Sequence, residues 1–149
     1  MTTQWININK DGDKEFNGYL ALPPTGKGPG LILLQEIWGV NDHIKAVADQ
    51  YAKSGFVVLA PDVFWRAEHQ VSLNYDEAGT EKAFQLMTDL DKDQAVTDLV
   101  KAVDKLKSLP EVIGKTGIMG YCMGGMLSFR TAAATDLDAA VCYYGGGIA

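Results

Sequence analysis

The stretch Gly117–Arg130, GIMGYCMGGMLSFR, holds the residues best arranged to do chemistry. An apolar run climbs to Gly120, then come Tyr121, Cys122 and Met123, then Gly124 and Gly125 and a helix-like tail. This is the spacing of G-x-S-x-G, the sharp strand-to-helix turn that lifts a nucleophile off a sheet, with sulfur in place of oxygen. The residues two places either side of such a turn must lack bulk, which accounts for Gly120 and Gly124, and Gly125 allows close helix–strand packing. The first N–H groups of the following helix, and its dipole, favour negative charge at the turn. A thiol there is pushed toward thiolate, the species that attacks carbonyls. The Met123 N–H is then available to hold an oxyanion, and a second donor is expected from Ile37, in the loop after the third strand. The bland alternative is that Cys122 is a small buried residue, which is how Cys142, between Val141 and Tyr143, is read. A phosphate-cradling reading of the glycines fails, because neither G-x-G-x-x-G nor G-x-x-x-x-G-K-[ST] is matched.

Glu36 stands at the tip of an otherwise apolar strand, LILLQE. A carboxylate there is costly to bury unless bonded, and the chain after this strand passes beside the nucleophile turn. It could accept the thiol's proton or hold it until substrate arrives. The alternative is a solvated strand-end residue.

The elements that must position these groups are legible from pattern. TTQWINI and EFNGYLALP alternate around DGDK, a hairpin. GPGLILLQE and FVVLAPD read as strands buried on both faces. Between them lies a helix capped by Asn41 or Asp42, with Ile44, Val47, Tyr51 and Ala48 on one face and Gly55 ending it. Residues 62–75 show no period and are expected to form a long loop. A helix is expected around residues 77–88, with Ala83, Phe84, Leu86 and Met87 as its apolar members. Asp91 and Gln94 then form a capping-box pair for a helix carrying Ala95, Leu99, Val103 and Leu106, closed by Pro110. KTGIMGYC is a strand, a helix follows Cys122, and LDAAVCYYGGG is a further strand. Such alternation predicts an α/β fold, a mainly parallel sheet with helices on both faces. Ligands gather at the carboxyl ends of such strands, where 35–39, 120–124 and 143–147 fall.

The chain has 149 residues, 47% hydrophobic and 21% charged, with a net charge of −6. That length is one domain's worth. The negative charge speaks against sequence-independent binding to nucleic acid or an anionic membrane. No run approaches the roughly 18 apolar residues that span a bilayer. The start, MTTQWININKDGDKEF, lacks a signal-peptide pattern, and two cysteines without one read as reduced thiols in the cytoplasm.

At QEIWGV, GYCMGG and YYGGG the sequence resembles the dienelactone hydrolase family, a branch of the α/β-hydrolase fold. The similarity runs in register from the first hairpin to Ala149 and includes the strand end Ala60–Pro61–Asp62. It implies cleavage of a small ester or lactone, such as dienelactone, through a thioester on the enzyme, with no metal or organic cofactor. Cys122 would be the nucleophile and Glu36 the carboxylate controlling its protonation. Ile37 and Met123 N–H groups would form the oxyanion hole, and Trp38, Phe84 and Tyr144 would line the pocket. The sequence departs from the family pattern in two places. Thr80, in AGTEKAF, takes the place of an arginine that holds the substrate carboxylate, which opens the site to a neutral or differently charged ester. The family's triad Asp and His follow the nucleophile at positions beyond 149. Asp136 and Asp138 come too early and read as turn residues, and His43 and His69 precede the nucleophile. The expectation is therefore a single domain over 1–149 that lacks the fold's C-terminal strands and helices. Its last strand would be an exposed apolar edge, to be completed by a missing C-terminal segment or another chain. A non-catalytic binding or interaction module on the same scaffold is the competing reading.

Overall fold

The computed structural model describes residues 2–145. The chain opens with the expected hairpin, β1 (Thr2–Asp11) and β2 (Lys14–Leu22), paired antiparallel. It continues through β3 (Gly28–Leu34), α1 (Asp42–Lys53), β4 (Val57–Pro61), α2 (Glu77–Asp89), α3 (Lys92–Ser108), β5 (Val112–Tyr121), α4 (Met123–Ala134) and β6 (Ala139–Tyr143). These strands form one six-stranded sheet in the order β1-β2-β4-β3-β5-β6. β4, β3, β5 and β6 are mutually parallel, and β2 alone runs against the rest, so the sheet is mixed.

Alternation along β3 shows how the sheet divides the core. Ile32 and Leu34 face one side, where they meet Leu99, Val103 and Leu106 of α3 and Leu127 of α4. Leu31 and Leu33 face the other, against Ile44, Ala48 and Ala52 of α1. Successive side chains of a strand point to opposite faces, so a strand covered on both sides reads as a continuous apolar run. Helices on both faces follow, as the pattern predicted.

Several local readings need correction. The buried line of α1 is Ile44, Ala48 and Ala52, while Val47 and Tyr51 flank it half-buried, because the small alanines let the helix lie close to the sheet. Asn41 caps this helix, its side chain accepting from the Ile44 N–H at 3.1 Å. On α2 only Gly79 and Ala83 are buried; Leu86 and Met87 pack partly, and Phe84 is 52% exposed. The capping box of α3 is half made. Asp91 accepts from the Gln94 N–H, but the Gln94 side chain turns forward to Asp98, a buried carboxylate that also receives Trp65 and Arg66. Residues 62–75 contain no helix or named strand, as expected, yet Val63, Phe64, Trp65 and Val71 are buried. Trp65 stacks on Phe16 at 5.2 Å, which ties this loop into the core.

β6 is the edge strand, and it exposes Val141 and Tyr143. Beside it, a groove of about 450 Å³ lined by Leu31, Phe56, Ile118, Met119, Val141 and Tyr143 lies on the α1 face. Neither Glu36 nor Cys122 lines it. Among the described residues no helix is long and apolar enough to cross a membrane.

Candidate active site

β5 delivers Gly120 and Tyr121 to the end of the sheet, and the chain then reverses into α4 at a single residue. That residue is Cys122, with φ 56° and ψ −120°, a backbone conformation L side chains rarely adopt. The turn is braced from both sides. The Cys122 N–H donates to the Tyr143 carbonyl at 3.0 Å, and the Met126 N–H donates to the Cys122 carbonyl at 3.1 Å. Close approach explains the glycines. A Cβ on Gly120 would lie under 3.0 Å from the Gly124 carbonyl, one on Gly124 under 3.0 Å from the Gln35 and Leu34 carbonyls, and one on Gly125 2.6 Å from the Tyr143 carbonyl. The first turn of α4 is thus wedged between the ends of β3 and β6.

This wedge sets the electrostatics. Cys122 is half-buried and makes no side-chain hydrogen bond to the helix it caps, so its sulfur does not occupy the first-turn donors. Met123, which opens α4, is buried, and so is Ile37, just past the end of β3. The contact of Gly124 with the Leu34 and Gln35 carbonyls brings these two segments side by side.

Glu36 sits half-buried at the same end, its carboxylate accepting from two phenols, Tyr75 at 3.0 Å and Tyr144 at 3.3 Å. Gln35 fixes the strand end beneath it. Fully buried, Gln35 donates to the Glu36 carbonyl and accepts from the Val63 N–H, tying β3 to the segment after β4. Tyr144 lies within electrostatic reach of both Glu36 and Cys122. Burial, then the Glu36 charge and hydrogen bond, then Cys122 push its phenol above the usual range, so it stays a proton donor. Tyr121 is pushed the same way, by burial first and by Tyr51, Tyr143 and Glu36 after it. Tyr121 stacks on Tyr143 at 5.0 Å, so the tyrosines form a continuous wall beside the turn.

Trp38 is half-buried, meets Tyr75 edge-on at 4.7 Å, and donates its indole N–H to the Thr80 hydroxyl at 3.2 Å. Phe84 follows Thr80 by one turn of α2, in solvent rather than against Glu36. The structure therefore brings together Glu36, Tyr144, Trp38 and the Cys122 turn, and leaves Phe84 at the periphery.

The remaining candidates separate clearly. Asp138 accepts from the Thr116 N–H at 2.8 Å, midway along β5 and away from the end that carries Cys122, and the Asp136 carbonyl accepts from Lys107. Both serve the turn into β6. His43 is exposed in the first turn of α1, its ring 6.4 Å from Tyr75, and His69 lies exposed in the loop near Asp62. Cys142 is half-buried on the edge strand rather than enclosed, because β6 has no outer neighbour among the described residues; burial still pushes its thiol up. Gly146 and Gly147 lie outside the described residues.

Sequence reasoning missed Tyr75 and gave Asn41 no role beyond capping. Asn41 donates to the Tyr75 hydroxyl at 3.1 Å and to the Leu73 carbonyl at 3.4 Å. Tyr75 falls in an aperiodic stretch, where spacing carries no information about contacts.

A mixed, mainly parallel sheet with helices on both faces and a Gly-flanked turn residue leading into a helix defines an α/β hydrolase. The chain belongs to the dienelactone hydrolase family, whose model matches residues 16–149. It is 31% identical over 149 residues to carboxymethylenebutenolidase 1 of Cupriavidus pinatubonensis, covering 99% of this chain and 64% of that protein. It is 35% identical over 150 residues to a carboxymethylenebutenolidase of a Pseudomonas species, covering 99% and 62%. Among solved structures, m3DLH superposes with a TM-score of 0.78 at 29% identity, covering 97% of this chain and 60% of that one. The chain thus spans a little under two thirds of the length of these curated relatives.

Proposed function

We propose that the protein is a carboxylic ester hydrolase that opens a small lactone of dienelactone type, or a related ester, through a thioester on Cys122. The thiolate adds to the carbonyl carbon, forming the C–S bond while the oxyanion rests on the Ile37 and Met123 N–H groups. Collapse breaks the ester C–O bond, and the departing oxygen takes a proton. Water then cleaves the thioester, releasing the carboxylic acid and restoring the thiol. Glu36 governs where the thiol proton resides, Tyr144 and Trp38 form the substrate side of the pocket, and Phe84 stands at its outer rim. Thr80 is uncharged and engaged by Trp38, which opens the site to a neutral or differently charged ester beside the anionic lactone. No metal or organic cofactor is required.

The general base and its orienting carboxylate belong, on this reading, to polypeptide outside residues 1–149, either a C-terminal segment or another chain. That polypeptide would complete the single α/β-hydrolase domain beside the open edge of β6. Two free thiols suit a reducing compartment, the cytoplasm.

The observation that carries this reading is the rare backbone conformation of Cys122 at the β5–α4 junction, at the strand ends where Glu36 and Tyr144 meet. Iodoacetamide labelling of the native protein, followed by peptide mass spectrometry, tests it. Cys122 should label about tenfold faster than Cys142 or more. Hydrolysis of p-nitrophenyl acetate, where present, should vanish in Cys122→Ala. Equal, slow labelling of both thiols would instead support a non-catalytic binding module on a hydrolase scaffold.

A further inference from the structure

We infer that Tyr75 is a positioning residue for Glu36, its hydroxyl aimed by Asn41 so that its one proton rests on Oε1 of the carboxylate. The inference rests on the reading of Glu36 as the carboxylate that serves Cys122, and it concerns how that carboxylate is held.

The direction of each bond follows from the one before. The Asn41 side-chain oxygen accepts from the Ile44 N–H at 3.1 Å, the cap of α1, so the amide nitrogen must point the other way. That nitrogen donates its two hydrogens to the Leu73 carbonyl and to the Tyr75 hydroxyl oxygen. A phenol has one hydrogen. With an amide donor on its oxygen, Tyr75 has Glu36 Oε1 as its acceptor among the described residues, at 3.0 Å. Asn41 is buried with its side-chain oxygen and both amide hydrogens occupied, so the amide that aims the phenol is itself fixed.

The loop that carries Tyr75 is itself fastened. The Leu73 N–H donates to the Trp38 carbonyl at 2.9 Å, Ser72 bridges Gly39, and Trp38 meets the Tyr75 ring edge-on. Trp38 and Gly39 follow Glu36 with only Ile37 between, so the loop grips the Glu36 segment both at its backbone and at its carboxylate. The remaining carboxylate oxygen goes to Tyr144. Both phenols are exposed, Tyr75 at 56% and Tyr144 at 68%, but Tyr75 is tied to the scaffold through Asn41 and Trp38, whereas Tyr144 extends from the end of β6. One oxygen of Glu36 is therefore fixed, and the other faces the groups around Cys122.

The test uses two readouts. Ionisation of Tyr75, taken as the ultraviolet difference between each protein and its Tyr75→Phe derivative, reports the bonds themselves. The phenol is pushed up by burial and by Glu36, and drawn down by Asn41. Glu36→Gln should therefore move its ionisation to lower pH, and Asn41→Ser, which keeps a helix-capping hydroxyl, to higher pH. His43, the other titratable ring near Tyr75, is common to all these proteins. Opposed shifts are what a directed bond chain requires and what general loosening would not give. Shifts of the same sign, or none, overturn the inference. The second readout is Cys122 alkylation. Tyr75→Phe, which keeps the ring packed on Trp38, leaves the Glu36 charge less well held beside the thiol. It should slow Cys122 labelling about threefold while Cys142 labelling stays unchanged. A Cys122 that labels no faster than Cys142 in the native protein would remove the hydrolase reading, yet the tyrosine shifts would still decide the role of Tyr75. Unchanged Cys122 labelling in a folded Tyr75→Phe protein overturns the inference.

Discussion

Replacing Cys122 by glycine and by alanine separates the backbone of this turn from its chemistry. Both variants lose the thiol, so their difference reports only what a Cβ costs at φ 56° and ψ −120°. A non-glycine residue held in such a region stores about 1–3 kcal/mol of strain. Against this, glycine loses about 0.5–1 kcal/mol more conformational entropy on folding than alanine does. A half-buried methyl group returns roughly another 0.5 kcal/mol to alanine. The balance leaves Cys122→Gly more stable than Cys122→Ala by about 1 kcal/mol, or about 3 °C in melting temperature for a chain of this size. At an ordinary helical position the sign is opposite. On exposed Lys101 in α3, alanine should exceed glycine by about 1 kcal/mol. Urea unfolding of the four variants, with equal slopes confirming comparable denatured states, measures both differences. If alanine is as stable as glycine at 122, the turn is not strained, and the argument that the scaffold forces Cys122 into a strained, reactive pose fails.

Two further perturbations probe the surroundings of the turn. Gly124→Ala sets a methyl group against the backbone carbonyls of Leu34 and Gln35, which cannot rotate away. It should cost at least about 2 kcal/mol and slow Cys122 labelling, whereas Gly117→Ala, whose nearest neighbour is the Ala139 carbonyl at 3.3 Å, should cost far less by the same unfolding assay. Asp62 is fully buried with one carboxylate oxygen unpartnered, and burial pushes its carboxyl up to about 6 from 3.8, against the opposing pull of the Gln70 N–H and His69. The folded state thus keeps this proton at pH values where the unfolded chain has lost it, so the contribution is full below about pH 4 and gone above about pH 6. That is a loss of about 3 kcal/mol across the window. Asp62→Asn should remove it, matching the parent at pH 4 and exceeding it at pH 7; a variant whose advantage does not grow with pH would refute the assignment.

How much of this was legible beforehand depends on whether a contact is local or periodic. β3 announced itself because four consecutive apolar residues serve two cores at once, and α3 because Ala95, Leu99, Val103 and Leu106 recur at helical spacing and are all buried. The Cys122 turn was legible because glycines at fixed offsets have one steric explanation. Side-chain partners across long separations were not. Gln94 completes a local capping pattern on paper, but Asp98 is buried nearby with Trp65 and Arg66 already on it, and the tertiary demand draws the amide away. Phe84 looked like a pocket residue by resemblance, yet α2 has little of this chain outside it, and the ring stays in solvent. Tyr75 carried no pattern, since its importance comes from a loop folded back over Trp38 and Gly39.

The site itself follows from register more than from any single residue. Leu34 pairs with Gly120, Gly120 with Cys142, and Tyr121 with Tyr143, all in parallel. Three strands therefore end at one height, and Glu36, Cys122 and Tyr144, each one or two residues beyond its strand, emerge side by side. A slip of one residue between β3 and β5 would turn Leu34 to the wrong face and carry Glu36 away from the turn at the same time, so the core that selects the register also selects the site. This coupling explains why a carboxylate and a phenol 108 residues apart meet reliably. It also explains why the adjustable part of the assembly lies elsewhere. The loop with Tyr75 and the helix with Thr80 are not set by sheet register, and there the sequence can alter how Glu36 is held and what Trp38 faces without disturbing the fold.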